Sequence, residues 1–250
     1  MNTLLFGSEG NLSRVLLDPL QIISTNLFTF DKLPASTFSS NRTHIQADLL
    51  SPGFIDQFNS LINDLNPNYP ISIVYTPALD YPVSTSSYYQ NQHNGRFSID
   101  GHDVLKGFNL SCLILYDLIS SLLSRGLEQS LTIISFDTIY STYLPKWEYY
   151  GNGVKPLSYS LAKAPLHLIL KAFATDYTRP SNTARSYTLK LGPVETSSLP
   201  SEFSSRFLSN SSSFSLVPQS EISSIVIYLL TNKPLSLSGG IIDMTCGYGM

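Results

Sequence analysis

Residues 3–19, TLLFGSEGNLSRVLLDP, decide the fold. Thr3 to Phe6 is a short apolar run that Gly7 ends, and a helical pattern then runs through Leu17 until Pro19 stops it. This opening reads as strand, turn and helix. Gln21 to Thr25, His44 to Ala47 and Ile71 to Tyr75 are the next strand candidates, with a helical pattern from Phe54 to Leu65 before the last of them. Val104, Phe108, Cys112, Leu115, Ile119 and Leu122 recur at helical spacing, and Leu131 to Ile134 follows as an apolar strand. A second long helix covers Leu157 to Asp176, then come a strand at Tyr187 to Leu191, a helix at Ser220 to Leu230 and a closing strand at Gly240 to Met244. Strands and helices in alternation imply crossover connections, so the expected class is α/β: a doubly wound parallel sheet with helices on both faces. Neither a repeat nor a linker divides the sequence, and residues 80–100 and 195–218 are polar and Ser-rich, which predicts long loops.

A chain of 250 residues is long enough for one well-buried domain. Charged residues make up 13%, about half the usual share, so solubility rests on hydroxyls more than on charge. The net charge of −3 offers no basic surface and argues against nucleic acid and anionic membrane as partners. Cys112 and Cys246 form neither a metal-ligand spacing nor a disulfide framework; Cys112 falls in an apolar helical pattern and reads as a core thiol, and no metal is expected. Leu110 to Leu123 is the most apolar segment, but it carries Asp117 and falls short of the ~20 apolar residues of a span, so a buried helix is expected. The opening MNTLLFGSEG lacks a basic region and a long apolar run, which leads to the expectation of a cytoplasmic protein.

The chemistry concentrates in Tyr159-Ser-Leu-Ala-Lys163. Residues four apart share a helical face. A free phenol titrates near 10, and a neighbouring cation favours the phenolate, moving it toward the range useful for proton transfer to or from an alcohol or ketone. The pentapeptide alone reads equally as an ordinary surface pair, so its surroundings matter. In a doubly wound sheet the ligand sits beyond the carboxyl ends of the strands. Gly7 to Ser13 follows strand one and opens a helix, where backbone N–H groups and the helix dipole can hold a pyrophosphate. Asp48-Leu49 closes strand three, where a carboxylate can accept from an adenine amino group, and Thr76-Pro-Ala78 closes strand four. Thr138 follows strand five and Gly192-Pro-Val-Glu-Thr196 follows strand six, so every motif falls on one edge.

With these motifs the chain resembles the short-chain dehydrogenase/reductase family over nearly its whole length. The matching features are the turn at Gly7, Asp48-Leu49, Asn109, a hydroxyl residue after strand five, Tyr159-x-x-x-Lys163, GPVET at 192–196 and SGGIIDMTCGY at 238–248. The resemblance implies a single Rossmann-like domain over residues 1–250 and an NAD(P)-dependent oxidoreductase. It further implies that Tyr159 is the acid/base, that Lys163 lowers its pKa and binds the nicotinamide ribose, and that Asn109 holds a relay water. Thr138 would stand in for the usual serine, with Ser135 a nearby competitor. NAD or NADP would lie along Gly7, Asn11 and Leu12 at its phosphates, Asp48 and Leu49 at its adenine, and Ala78, Gly192, Val194 and Thr196 beyond. Asn26 is nearest to the expected end of strand two, where the family selects its cofactor, and Asp31-Lys32 carries both signs. The segment DTIYSTYLPKWEYYGNGVKPLSYSLAK, residues 137–163, resembles the branch linked to flagellin modification and legionaminic-type sugar synthesis, implying a sugar or nucleotide-sugar substrate. Pairing through two long helices, frequent in the family, implies a homodimer or homotetramer.

The chain also departs from the pattern. Asn11 and Ser13 stand where the family has its second and third glycines, and Tyr75-Thr-Pro-Ala78 replaces Asn-Asn-Ala-Gly. Leu191 replaces a proline, and Pro165 follows Lys163 by two residues. These departures define the alternative, a catalytically degenerate protein of the same fold serving as a binding or assembly subunit. A different Rossmann-like enzyme, such as a methyltransferase, lacks support from the GPVET and C-terminal segments. His93 and His102 read as solvated loop residues. Trp147-Glu-Tyr-Tyr150 reads either as an aromatic lid over a substrate or as a packed loop.

Overall fold

A computed structural model describes residues 1–37, 39–65, 68–79, 101–150, 155 and 157–248. The expected loop at 80–100, including His93, lies outside the described residues. Strand β1 (Asn2–Phe6) leads through a turn into helix α1 (Asn11–Ile23), followed by β2 (Asn26–Asp31), β3 (Arg42–Gln46), α2 (Phe54–Asn63) and β4 (Ile71–Tyr75). A long helical stretch comes next, α3 (Gly101–Phe108) and α4 (Ile114–Leu123), with a π-helical turn at Asn109–Leu113 between them. Then come β5 (Thr132–Thr138), α5 (Trp147–Tyr150), α6 (Leu157–Lys163), α7 (Leu166–Tyr177), β6 (Arg185–Leu191), α8 (Ser201–Asn210), α9 (Gln219–Asn232) and β7 (Ile241–Met244).

The seven strands form one sheet in the order β3-β2-β1-β4-β5-β6-β7, every neighbouring pair parallel. This is the doubly wound arrangement, in which the strand order reverses between β1 and β4 and opens a crevice at their carboxyl ends. Successive side chains of a strand alternate between faces. Leu4 and Phe6 therefore join Phe54 and Phe58 of α2, Leu115 and Leu118 of α4 and Leu170 of α7 on one face. Leu5 joins Leu16 and Leu20 of α1 and Val226 and Leu229 of α9 on the other. The stretch Gly101–Leu123 has the length and hydropathy of a membrane span, yet Leu115, Leu118 and Leu122 are fully buried against the sheet, as expected for a core helix.

Four sequence expectations are corrected. The first helix continues through Pro19 to Ile23, because Leu16, Leu17 and Leu20 bury a continuous stripe whose packing offsets the hydrogen bond that the proline removes. Strand two consequently lies at Asn26–Asp31 and not at Gln21 to Thr25. Asn26 is then the first residue of its strand, with Nδ2 donating to Asn2 Oδ1 at 2.9 Å. It stands at the end of the sheet away from the crevice and cannot select a cofactor. The expected single helix from Leu157 divides at Ala164-Pro165 into α6 and α7, with Pro165 held at φ −80° as the residue preceding α7. Finally, residues 195–218 hold helix α8 and a short parallel bridge from Val194 to Val217, so that segment is not one loop.

Candidate active site

A cavity of about 1600 Å³ runs along the carboxyl edge of the sheet. Gly7, Asn11, Leu12, Asp48, Leu49, Ala78, Thr138, Tyr159, Lys163, Gly192, Val194 and Thr196, all singled out in the sequence, line it. The first turn closes with Gly10 N–H donating to Gly7 O at 3.1 Å. Gly7 adopts φ +74°, and a Cβ there would lie 2.7 Å from Thr76 Oγ1, so the chain needs glycine at this point. Asn11 is the exposed first residue of α1 and donates through Nδ2 to Ser198 Oγ at 2.8 Å. It keeps a negative φ, so the left-handed tolerance of asparagine is not used. Ser13 is buried, with its hydroxyl 2.6 Å from that of Thr76.

Asp31 ends β2 at the cavity wall, where Oδ2 accepts the Glu9 N–H at 2.9 Å. Glu9 itself is 5% exposed and pairs with the buried Arg42 guanidinium at 3.1 Å. Burial pushes its carboxyl up, but hydrogen bonds from Ser36 and the Arg42 cation outweigh this and hold it below the usual range. Sequence reading gave Glu9 no role and named Asp31 only within the mixed-charge pair Asp31-Lys32. The signal for Asp31 was its place at the end of an apolar run, hidden once strand two was set too early.

At the other end of the cavity, β5 carries Asp137 and Thr138 to the crevice. Thr138 Oγ1 accepts the Tyr140 N–H at 3.3 Å, and the Thr138 side chain interacts with the Tyr159 phenol. Ser135 is fully buried in the strand and does not line the cavity. Burial pushes the Tyr159 phenol above its ordinary value, the Thr138 hydrogen bond pulls it down, and the Asp137 carboxylate pushes it up again. The expected lowering by Lys163 is not what the geometry produces. Lys163 is 3% exposed, and its Nζ donates to Pro77 O and Phe136 O, each at 3.1 Å. Burial brings its ammonium down to about 8, against the opposing pull of Asp137 and Cys112.

Asp137 was not anticipated either. Its Oδ1 accepts the Thr138 N–H at 2.8 Å and Oδ2 the Ser141 hydroxyl at 2.7 Å, fixing the turn that presents Thr138. Burial raises this carboxyl, opposed by Ser141, the Thr138 N–H, Lys163 and His167. Asn109 opens the π-helical turn, and its carbonyl accepts the Ile114 N–H. Lys106 and Leu110 line the cavity there, while Asn109 does not. The neighbouring Leu110 carbonyl accepts the Tyr75 phenol. Tyr140, Tyr149, Tyr150 and Phe203 form an aromatic wall beside Tyr159, with Tyr150 Oη donating to Tyr140 Oη at 2.7 Å.

The sequence matches no protein-family model and no curated protein. Solved structures match it closely in shape. A short-chain dehydrogenase from Leptospira borgpetersenii with bound NAD+ aligns over 100% of this chain and 92% of its own at TM-score 0.77 and 16% identity. 4-Hydroxyisoleucine dehydrogenase complexed with NADH covers 99% of this chain and 98% of its own at TM-score 0.77 and 12% identity. A Brucella melitensis short-chain dehydrogenase/reductase, described as a glucose/ribitol dehydrogenase, covers 100% and 96% at TM-score 0.75 and 16% identity. End to end, the chain has the fold of these short-chain dehydrogenases, at sequence identities of 12–16%.

Proposed function

We propose that this chain is an NAD-dependent oxidoreductase that interconverts an alcohol and a ketone on a sugar or nucleotide-sugar substrate, with Tyr159 as the acid/base. The observation that carries the reading is the convergence of Tyr159, Thr138 and Lys163 on the wall of the large cavity, with the Thr138 side chain interacting with the Tyr159 phenol and Lys163 one helical turn on. The residues present fit a dinucleotide. Gly7 leaves room for a close approach at the N-terminus of α1, which favours a pyrophosphate. Asp48 and Leu49 border the adenine end, and Gly192, Val194 and Thr196 the nicotinamide end. Asp31 at the end of β2 suits ribose hydroxyls and repels a 2′-phosphate, which supports NAD over NADP. When bound, the nicotinamide supplies or accepts the hydride.

In the reduction direction, the Tyr159 hydroxyl gives its proton to the ketone oxygen. Thr138 Oγ1 accepts from Tyr140 N–H, and its own proton is available to the same oxygen. Lys163 holds the Pro77 and Phe136 carbonyls together, bracing the floor of the site between β4 and β5. The aromatic wall of Tyr140, Tyr150 and Phe203 offers faces on which a sugar ring can stack. Cytoplasmic location and pairing of two or four copies belong to the same reading. Leu105, Leu113, Tyr116, Leu161 and Leu168 are exposed apolar residues along the α3 to α4 stretch and along α6 and α7.

Calorimetry with NAD, NADH, NADP and NADPH, paired with turnover of Tyr159→Phe, tests the reading. NADH should bind, and the variant should lose about 10² or more in turnover with little change in NADH affinity. Binding of none of the four at millimolar concentration would instead favour a noncatalytic binding or assembly subunit, for which the substituted glycines and Pro77 speak.

A further inference from the structure

Lys155 lies just before α6, in the stretch leading to Tyr159, and lines the cavity. Its Nζ sits over the Tyr159 ring, 4.9 Å from the centroid. That is inside the ~6 Å range over which an ammonium is drawn to the face of an aromatic ring. Lys163 has its own ammonium turned to two backbone carbonyls. Of the two lysines, Lys155 is the one whose charge lies against the ring. We propose that Lys155 is a positioning residue for Tyr159, a second cation whose ammonium, held on the ring face, stabilises the phenolate left when Tyr159 gives up its proton.

The argument is electrostatic. A neutral phenol presents a weakly negative face, whereas a phenolate spreads a full charge into the ring, so an ammonium on that face favours the deprotonated form. Burial amplifies the effect, because water screens it less. The other groups around Tyr159 do not supply this. Asp137 pushes the phenol up, Thr138 offers one neutral hydrogen bond, and Tyr140 and Tyr150, each interacting with Tyr159, are themselves pushed up by burial. Cys112 stands behind Lys163 with its thiol raised by burial to about 11. Burial lowers the Lys155 ammonium to about 8 beside the neutral phenol, and because a phenolate in that ring would hold the ammonium proton by the same attraction, the two groups titrate as a coupled pair.

The inference rests on Tyr159 being the acid/base, but its test needs neither substrate nor dinucleotide. With 3-fluorotyrosine incorporated throughout, the phenols become more acidic, and the resonance missing from Tyr159→Phe identifies the residue by 19F NMR. Its titration midpoint should rise by about one pH unit in Lys155→Met and stay near the unsubstituted value in Lys155→Arg, which keeps a cation able to stack. A midpoint equal in all three proteins overturns the proposal, as does a Tyr159 signal in the unsubstituted protein that fails to titrate below about pH 11. Circular dichroism of each variant confirms the fold. NADH calorimetry on the same samples separates the two readings, since loss of binding bears on the proposed function and an unmoved midpoint on Lys155 alone.

Discussion

Ser13 and Thr76 meet hydroxyl to hydroxyl, 2.6 Å apart, between the first turn of α1 and the end of β4. A glycine at the Ser13 position would let helix and strand approach; here the serine is accommodated by a polar partner. Thr76 Oγ1 also donates to Phe6 O at 2.8 Å, so one threonine ties β1, β4 and α1 together below the cavity. The two non-glycine residues of the turn are thus explained differently. Ser13 is absorbed by a hydrogen bond, and Asn11 by facing solvent at the helix start.

Gly7 has no such substitute. Its positive φ and the 2.7 Å approach of a Cβ to Thr76 Oγ1 predict that Gly7→Ala destabilises the fold by about 1–3 kcal/mol and abolishes dinucleotide binding. Gly53→Ala, where a Cβ meets nothing within 4 Å, should change stability little. Urea denaturation and NADH calorimetry on both variants check this. Equal stability of the two variants would falsify the account of the turn.

Much of this was readable from the sequence. The continuous burial of Leu4, Leu5 and Phe6, in a strand covered on both faces, and the helical stripe from Leu115 to Leu122 follow from an unbroken apolar run and from apolar spacing, which is why the sheet and its class could be anticipated. Local signals failed where packing overruled them. Gln21 to Thr25 is apolar enough for a strand, yet Ile22 is 84% exposed on a helix that its buried leucines carry past Pro19. Serines concealed α8, although Phe203 and Phe207 stand four apart and stack at 5.8 Å. At the site, Tyr159, Thr138 and Lys163 were found by spacing and resemblance. Asp137 was not, because a buried carboxylate is recognised by what surrounds it, and Asp31 was named only as half of a mixed-charge pair because strand two had been set too early.

Asp31 sets the next expectation. With the dinucleotide lying as proposed, this carboxylate at the cavity wall would face the adenosine ribose and repel a 2′-phosphate, so NADH should bind more tightly than NADPH. Asp31→Ser should narrow that preference by about tenfold, the scale of one unfavourable charge contact. The serine also gives up the acceptor for Glu9 N–H, so some NADH affinity should go as well. Calorimetry with both reduced cofactors measures the ratio; an unchanged ratio removes Asp31 from the selection.

Lys163 predicts a pH dependence of stability. Its ammonium releases a proton at about 8 in the folded protein, while the unfolded chain holds it to about 10.4. The unfolded state therefore binds more protons between these values, and stability should rise with pH from about 8 to about 9.5, before unfolded tyrosines begin to ionise. Lys155 adds to the same slope. Denaturation midpoints across this window should climb less steeply in Lys163→Met, and a flat profile in the unsubstituted protein would contradict the burial of a charged ammonium.

Thr138 separates an enzyme from a protein that keeps only the shape of one. Its Oγ1 contacts the Tyr159 hydroxyl and accepts the Tyr140 N–H, so β-branching has fixed χ1 with the hydroxyl toward the cavity. Thr138→Ser keeps donor and acceptor and should preserve or raise turnover. Thr138→Val fills the same volume but removes the hydroxyl, leaving the Tyr140 N–H without its acceptor and a substrate oxygen without its second donor. Loss of one such donor to a developing charge costs about 10²-fold in turnover where the site is dry, with ground-state binding altered less. Steady-state kinetics of the two variants under saturating NADH distinguish these outcomes. If Thr138→Val keeps full turnover while Tyr159→Phe does not, the threonine serves only to cap the turn at Tyr140, and the ketone oxygen is held by another donor.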